Sequence, residues 1–225
     1  MILLIHGKGR MGCKVKELAG VWDVIMADRD DDLSVVGATA DVWVDFSHPD
    51  ALKRLLAGAL SLKKPIVIGT TGYTDLQMAS ICEAAKAVPI VHASNFSMGM
   101  AVLGALVRAA RKALPDFQVE IQEIHHKQKK DAPSGTALTL AKSLGDNIVL
   151  GRQGAHMRAP DEIGIAALRG GQVIGEHTVF FFGNAERLEL THRATNRDIF
   201  AEGALKAAQW VIDKSPGLYS IKDIL

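Results

Sequence analysis

The sequence has little cysteine and no long hydrophobic run. Its 225 residues include two cysteines, Cys13 and Cys82, which do not form a C-x-x-C pair. A disulfide framework is therefore not expected, and a reducing compartment suits this composition. No apolar run approaches the roughly 20 residues that a membrane-spanning helix needs. The N-terminal residues show neither the basic stretch nor the cleavage site of a signal peptide, so we expect a cytoplasmic protein.

The sequence also lacks a charge imbalance, internal repeats and low-complexity segments. There are 26 lysines and arginines against 25 aspartates and glutamates, a formal net charge of +1. Proteins that bind nucleic acid or an anionic membrane surface usually carry a basic excess, so we expect neither partner. Hydrophobic residues make up 48% and charged residues 23% of the chain, which is typical of a globular protein. The length allows one large domain or two modest ones.

Short apolar runs alternate with helical patterns in the first half of the chain. The runs are rich in isoleucine and valine and end at glycine, proline, aspartate or serine, which is typical of buried parallel strands. They are residues 2–6, 24–27, 42–46, 65–68 and 90–93. The helical patterns are residues 11–19, 49–62 and 75–87. This alternation predicts an α/β fold with a doubly wound parallel sheet of the Rossmann type.

The pattern changes after residue 96, where strands begin to follow one another. Helices are predicted over residues 98–114 and 134–144, and strands over 119–125, 163–168, 177–182 and 187–192. Residues 183–186 predict a hairpin turn, and residues 145–160 a flexible loop. We expect a second, α+β domain with a mixed sheet. A helix over residues 199–212 should return to the first domain, so the predicted domains are 1–96 with 198–225, and 97–197.

A glycine-rich loop follows the first predicted strand and opens the first predicted helix. Its sequence is Gly7-Lys8-Gly9-Arg10-Met11-Gly12, a match to G-x-G-x-x-G. Such glycines permit a tight turn and let the backbone approach a pyrophosphate at the positive end of the helix dipole. Asp28 stands at the end of the second strand, where an acidic residue binds the adenosine ribose. This context favours a dinucleotide site over an ordinary strand–helix turn.

The residues near this loop leave the choice of nicotinamide cofactor open. Asp28 favours NADH because a carboxylate repels the 2′-phosphate of NADPH, whereas Arg29 and Arg10 can pair with that phosphate. NADH, NADPH or both are expected. Two later loops also follow strands, at the sheet edge where open α/β sheets bind ligands, although turn chemistry alone explains them equally well. Their predicted cofactor-binding residues are Gly69, Thr70, Thr71, Ala93, Ser94, Asn95 and Phe96.

The most unusual stretch is residues 123–136. It contains two histidines, three lysines, an aspartate and a Ser-Gly-Thr helix start. Alternation at the end of a strand turns His125 and His126 to opposite faces. The N–H groups and hydroxyls at Ser134-Gly135-Thr136 make a carboxylate site, and the lysines add positive charge. The stretch suits a small dianionic substrate, with histidine and lysine as proton donors.

Three simpler interpretations of this stretch compete with a catalytic one. A lysine-rich loop is often only a solvated surface. His125 and His126 could bind a metal, but no third ligand stands at a recognisable spacing, so no metal site is expected. Ser134 lacks the G-x-S-x-G context of a nucleophilic serine, and a helix N-cap is the better account of it.

Taken together, these residues resemble the dihydrodipicolinate reductase family. The run that carries the resemblance is His125-His126-x-x-Lys129-x-Asp131-Ala132-Pro133-Ser134-Gly135-Thr136, and it is highly specific. The likeness extends through the glycine loop, which is not specific, and residues 44–47, 69–72, 95–97, 175–178 and 191–193 with Arg197, so it covers nearly the whole chain. Lys127 stands where an arginine is common, and it lacks the planar fork of that side chain.

The resemblance implies NAD(P)H-dependent reduction of 4-hydroxy-tetrahydrodipicolinate to tetrahydrodipicolinate, in the diaminopimelate pathway of lysine biosynthesis. It implies His125 as the principal acid/base and Lys129 as a second proton donor. It implies that the substrate carboxylates are held by His126, Ser134, Gly135, Thr136 and Arg197. It also implies a homotetramer built through the second domain, which would bind substrate and carry catalysis, while the first domain would bind the dinucleotide.

Two other functions remain as alternatives. A sugar- or inositol-type NAD(P)-dependent dehydrogenase shares the cofactor fold, and Lys63-Lys64-Pro65 is superficially similar to an element of that group. Its catalytic pattern does not predict Ser-Gly-Thr after a His-His strand. A non-catalytic redox sensor would need a DNA-binding module or a strongly basic face, and the sequence shows neither.

Overall fold

The structure is a computed structural model that describes all 225 residues. The chain folds into two compact units, one formed by Met1–Met98 with Asp198–Leu225 and the other by Gly99–Arg197. No helix in the chain is long and apolar enough to span a membrane.

The first unit contains a six-stranded parallel sheet. Its strands are β1 (Ile2–His6), β2 (Asp23–Ala27), β3 (Val42–Asp45), β4 (Ile66–Ile68), β5 (Pro89–His92) and β11 (Gly217–Tyr219). They lie in the order β11-β5-β4-β3-β1-β2. The predicted Rossmann-type parallel sheet is confirmed. Because β2 and β3 flank β1, the order reverses there, and open α/β sheets bind ligands at the carboxyl ends of strands beside such a point.

Helices connect these strands. They are α1 (Arg10–Leu18), α2 (Leu33–Val36), α3 (Leu52–Leu62), α4 (Asp75–Ala84) and α7 (Asp198–Val211), with 3-10 turns at Pro49–Ala51 and Ile221–Ile224. The helix predicted over residues 49–62 thus begins with a 3-10 turn. The fully buried Trp43 anchors the core of this unit, and a Cβ at Gly37 would lie only 2.3 Å from its ring. Helix α7 packs closely too, since a Cβ at Gly203 would lie 1.8 Å from the carbonyl oxygen of Phe96.

The second unit contains a five-stranded mixed sheet. Its elements are α5 (Met98–Ala113), β6 (Gln118–His125), α6 (Gly135–Lys142), β7 (Ile148–Leu150), β8 (Ile163–Arg169), β9 (Gly175–Phe182) and β10 (Arg187–Ala194). The strand order is β10-β9-β6-β8-β7. Strand β9 runs antiparallel to β6 and β10, whereas β8 runs parallel to β6 and β7. The predicted mixed sheet is confirmed, whereas the loop predicted over residues 145–160 is wrong at β7, which pairs with β8 at the edge of the sheet.

One face of this mixed sheet carries the core of the second unit. Alternate residues of β6 are buried, and Val119 and Ile121 pack with Leu103 of α5 and Leu140 of α6. His125 lies at the end of the same buried face. The fold therefore places the last residues of β6 beside α6.

Candidate active site

The three glycines of the loop after β1 have different surroundings. Gly7 has a φ of +106°, and a Cβ there would lie 2.5 Å from the carbonyl oxygen of Phe46. A Cβ at Gly12 would lie 1.8 Å from the carbonyl oxygen of Gly7. These two positions require glycine for the turn and for the packing of α1. No atom lies within 4 Å of the Cβ position at Gly9, so the backbone there is open to a ligand.

The start of α1 has the properties of an anion site. Gly9 is the N-cap residue and supplies no side-chain acceptor for the N–H groups of the first turn, which also contains no acidic side chain. Free N–H groups and the positive end of the helix dipole attract phosphate. This helix start fits the pyrophosphate of a dinucleotide.

A cavity of about 700 Å³ runs from the glycine loop to the end of β2. Predicted cofactor residues line it, namely Gly7, Lys8, Gly9, Asp28 and Arg29. Arg54 of α3 lines it as well, and its guanidinium donates a hydrogen bond to the carbonyl oxygen of Arg29. Arg54 was missed because a single arginine on a helix carries no local motif. Asp30 and Asp50 line the cavity too, so two arginines and three carboxylates line the cavity that is expected to receive the adenosine ribose.

A second cavity, of about 440 Å³, adjoins the first, since Gly9, Phe46, Ser47 and His48 line both. Its lining adds the predicted residues Arg10, Met11, Gly69, Thr70 and Thr71. A Cβ at Gly69 would lie 2.1 Å from the ring of Phe46, so this position is also confined to glycine. The two cavities together follow the carboxyl edge of the sheet and fit the two halves of a dinucleotide.

Buried polar side chains brace the loops that line the second cavity. Nδ1 of His6 lies 2.7 Å from Oδ1 of Asp45, which also accepts the hydroxyl of Ser47 at 2.6 Å. The hydroxyl of Thr70 donates to Oδ2 of Asp45 at 2.6 Å and accepts the N–H of Ser47 at 2.9 Å. This cluster joins the ends of β1, β3 and β4. Sequence reasoning gave His6 and Asp45 no role in the cofactor site, because their pairing is visible only once the strands lie side by side.

The predicted cofactor residues after β5 lie outside both cavities, and these are Ala93, Ser94, Asn95 and Phe96. Oδ1 of Asn95 accepts the N–H of Ser97 at 2.8 Å. The ring of Phe96 meets the ring of Phe46 edge-on, with 6.0 Å between centroids. A cofactor-binding role for this loop stays a prediction.

In the second unit, Ser134 connects the start of α6 to the end of β6. Its hydroxyl accepts the N–H of Ala137 at 3.2 Å, so Ser134 is the N-cap of α6. Its own N–H donates to Oε1 of Glu123 at 3.1 Å. No atom lies within 4 Å of the Cβ position at Gly135. The first turn of α6 is therefore held against β6 and is open to a ligand on the side of Gly135.

Glu123 lies beside His125 on the buried face of β6 and is itself fully buried. Its Oε2 contacts Nδ1 of His125, and the guanidinium of Arg169 bonds to both carboxylate oxygens, at 3.0 Å and 2.8 Å. Burial alone would raise the pKa of Glu123, but the bonds from Arg169 and His125 outweigh it and keep the pKa below its ordinary value. Sequence reasoning assigned no role to Glu123 or Arg169, because this ion pair joins residues 46 positions apart.

The imidazoles of His125, at the end of β6, and His177, in β9, lie next to each other. The rings of His125 and His177 pack edge-on with 5.3 Å between centroids, and Nε2 of His177 lies 3.2 Å from Oγ of Ser134. Burial and the neighbouring His125 lower the pKa of His177 to about 4. Burial also lowers the pKa of His125, although Glu123 opposes the change. Both rings are therefore largely neutral near pH 7 in the free protein.

The remaining predicted residues of the second unit differ in their contacts and in their burial. Nζ of Lys129 lies 2.9 Å from Oδ2 of Asp131, and 22% of the Lys129 side chain is exposed. Nδ1 of His126 is buried and has no hydrogen-bond partner within the chain. Thr136 is half-buried in the first turn of α6, whereas Arg197 is exposed at the last position of the unit. The structure brings His125, Lys129 and the start of α6 together but does not join Arg197 to them.

The low pKa of His177 predicts a loss of stability in acid. Between an unfolded pKa of about 6.5 and the folded value of about 4, protons bind the unfolded chain preferentially. The contribution of His177 to the free energy of unfolding is thus present above pH 6.5. It falls as the pH decreases, by about 2 kcal/mol between pH 8 and pH 5. We expect the free energy of unfolding of His177→Gln, measured in urea at fixed protein concentration, to lose this part of its pH dependence. The exposed His48 provides a control, since His48→Gln should keep the wild-type slope, and an unchanged slope in His177→Gln would contradict the prediction.

Comparison with known proteins agrees with this geometry. The family model described as dihydrodipicolinate reductase, N-terminus, matches residues 15–96, and the one described as dihydrodipicolinate reductase, C-terminus, matches residues 99–225. The 4-hydroxy-tetrahydrodipicolinate reductase of Akkermansia muciniphila is 44% identical, over 100% of this chain and 97% of its own length. That of Aquifex aeolicus is 49% identical, over 82% of this chain and 73% of its own length.

A solved structure supports the fold. It is described as dipicolinate-bound dihydrodipicolinate reductase from Paenisporosarcina sp. TG-14, and it superposes with a TM-score of 0.83 at 24% identity, covering 100% of this chain and 99% of that chain. The matches do not favour the sugar- or inositol-type dehydrogenase. The chain belongs to the dihydrodipicolinate reductase family.

Proposed function

We propose that the chain reduces 4-hydroxy-tetrahydrodipicolinate to tetrahydrodipicolinate, in lysine and diaminopimelate biosynthesis, with a reduced nicotinamide dinucleotide. The proposed reaction rests on family membership. The proposed site rests on one observation, that β6 and α6 hold His125 close to a helix start that is open at Gly135. In this proposal the first unit binds the dinucleotide, and the second binds substrate and carries catalysis.

The chain's own residues can hold the dinucleotide along the two adjoining cavities. The N–H groups after Gly9 receive the pyrophosphate, and Asp28 with Arg29 and Arg54 receives the adenosine ribose. Thr70 and Thr71, at the far end of the second cavity, receive the nicotinamide half. When bound, the reduced nicotinamide would supply a hydride to C4 of the substrate, and the C4 hydroxyl would leave as water.

The substrate is a dicarboxylate, and the second unit offers groups for both carboxylates. The N–H groups and hydroxyls of Ser134, Gly135 and Thr136 bind one carboxylate at the positive end of α6. His126 is proposed as a contact for the other carboxylate, with Arg197 as a further contact, and both assignments rest on the resemblance alone.

Protonation is assigned to His125, with Lys129 as a second donor. Loss of water leaves a conjugated imine, and hydride addition to it leaves electron density that must accept a proton from a general acid, a role that a protonated imidazole can fill. The cationic Lys129 stabilises the negative charge as it develops. Asp131, paired with Lys129, holds the ammonium group in place.

We also propose that the second unit forms the interface of a homotetramer. The face of its sheet opposite the core carries half-buried Ile124 and Phe180, with Leu168 at 41% exposure. Rings of Phe180 and Phe182 stack there with 5.8 Å between centroids. Exposed apolar patches of this kind are typical of protein interfaces.

The mixture of charges at the adenosine end predicts the use of both cofactors. Arg29 and Arg54 can pair with a 2′-phosphate, and Asp28 can bind free ribose hydroxyls. We expect kcat/KM for NADH and NADPH to agree within about tenfold, or about 1.4 kcal/mol. Steady-state kinetics with each cofactor measures this ratio. A much larger preference would show that either the carboxylate or the arginines do not reach the ribose.

Turnover by the purified chain tests the proposed function. The product of dihydrodipicolinate synthase is supplied with NADH or NADPH, and oxidation of the reduced nicotinamide is followed by absorbance. Oxidation that depends on the substrate is expected. Folded protein that oxidises neither cofactor would overturn the proposal, and reduction of the oxidised cofactor by an inositol or a sugar would favour the alternative dehydrogenase.

A further inference from the structure

A single buried carboxylate links the proposed acid/base to the proposed carboxylate site. Glu123 is fully buried, and it lies two residues before His125 on the same face of β6. An isolated charge is costly to bury, so its partners explain why it is tolerated. Arg169 of β8 supplies a bidentate pair to the two oxygens, at 3.0 Å and 2.8 Å.

The same ion pair contacts three parts of the site. Oε2 of Glu123 contacts Nδ1 of His125, and Oε1 accepts the N–H of Ser134 at 3.1 Å. Nη2 of Arg169 also donates to the carbonyl oxygen of Asp131 at 2.6 Å, in the loop that carries Lys129. Glu123 and Arg169 therefore fix the end of β6, the loop that follows it and the start of α6 relative to one another.

The contact at Nδ1 determines which nitrogen of His125 can exchange a proton. A carboxylate accepts hydrogen bonds only, so it favours the ring that carries its proton on Nδ1 and leaves the lone pair on Nε2. Nε2 lies beside Gly175 of β9, where a Cβ would stand 3.0 Å away. Glycine at this position leaves Nε2 uncrowded. The nitrogen available for proton transfer is therefore Nε2.

We propose that Glu123 and Arg169 are positioning residues for the reduction, an inference that rests on the proposed role of His125. Glu123 holds His125 as the Nδ1–H tautomer and aligns the N–H of Ser134 at the carboxylate site. Arg169 keeps Glu123 charged and in place, and its planar fork makes two parallel bonds that a lysine cannot reproduce. Both residues act through His125 and Ser134.

The pH profile of the Glu123→Gln variant separates this role from simple packing. The charged and titratable groups that face His125 are Glu123 on its own strand, Arg169 of β8, His177 of β9 and Lys129 of the following loop. Without the Glu123 carboxylate, no negative charge balances the positive charges of Arg169 and Lys129, so the pKa of His125 falls. Because the protonated ring is the donor, we expect the descending limb of kcat/KM to move to lower pH by about one unit. We also expect kcat to fall about tenfold or more.

A control carboxylate lies in the first unit. Glu83 of α4 is exposed and pairs with Lys86, and it lines neither of the cavities assigned to the dinucleotide. Glu83→Gln should keep the wild-type pH profile and kcat. Arg169→Lys keeps the charge but loses the fork, so kcat should fall while the limb stays near its wild-type position. A Glu123→Gln profile that coincides with wild type would overturn the proposal.

A second measurement needs no variant in the positioning pair. Wild-type protein labelled with ¹⁵N-histidine, without substrate, reports the tautomer of each of its eight histidines, and the His125→Gln variant assigns the signal. We expect His125 to carry its proton on Nδ1, and a proton on Nε2 would overturn the proposal. This result does not depend on turnover. A wild-type protein without reductase activity would refute the proposed function, whereas the tautomer alone would decide the positioning role.

Discussion

His125→Gln is expected to lower kcat by about a hundredfold or more and to leave substrate affinity almost unchanged. General acid–base catalysis contributes about 10² to 10⁴-fold in rate. Protonation is required in the transition state and contributes little to ground-state binding. Glutamine keeps a polar side chain next to Glu123, so the fold of the segment should persist. Steady-state kinetics, with a binding titration of a non-reactive dicarboxylate, separates the two effects.

The exposed His156 of the same unit supplies the control for this experiment. His156→Gln should be indistinguishable from wild type in both kcat and binding. If His125→Gln binds the dicarboxylate poorly yet turns over at the wild-type kcat, His125 is a substrate contact and its assignment as acid/base is wrong.

Gly9→Asp is expected to abolish most dinucleotide binding without destabilising the first unit. No atom lies within 4 Å of the Cβ position at Gly9, so the new side chain meets no neighbour in the free protein. It places a negative charge where the pyrophosphate is proposed to lie. At a separation of a few ångströms this repulsion raises the dissociation constant on the order of a hundredfold or more. Calorimetric titration with NADH and NADPH measures the change, and thermal denaturation checks that the protein is folded.

A reciprocal variant in the second unit controls for general damage. The Cβ position of Gly135 is open in the same way, but this glycine is assigned to the substrate carboxylate. Gly135→Asp should therefore bind both dinucleotides normally and lose the dicarboxylate. Equal loss of dinucleotide binding in the two variants would contradict the separate assignments.

The parts of the fold that were predictable from the sequence are those with local signals. Buried parallel strands leave continuous apolar runs, as in β1 and β3. Pro49 marks the turn that leads into α3, and Ser134 marks the start of α6. Three short elements carry no such signal, unlike the equally short β4, whose apolar run was predicted. Four-residue α2 and three-residue β7 and β11 gain their stability from neighbours that are distant in sequence, so they were missed.

The site residues divide in the same way between local and distant signals. The glycine loop and residues 125–136 each lie within one short segment whose chemistry is visible locally. Arg54 reaches the end of β2 from α3, 25 positions from Arg29, and Arg169 reaches Glu123 from another strand. A partnership between distant residues requires the strand order and register, which local patterns do not determine. Sequence reasoning therefore identified the groups proposed to meet the ligand and missed those that hold them.

A crystal structure of the chain with pyridine-2,6-dicarboxylate would test the proposed substrate site and acid/base together, because this planar dicarboxylate matches the proposed substrate in its charged groups. We expect one carboxylate against the N–H groups of Ser134, Gly135 and Thr136 and the other against His126, with Nε2 of His125 facing the ring. A dicarboxylate bound away from the start of α6, with His125 out of contact, would contradict this expectation.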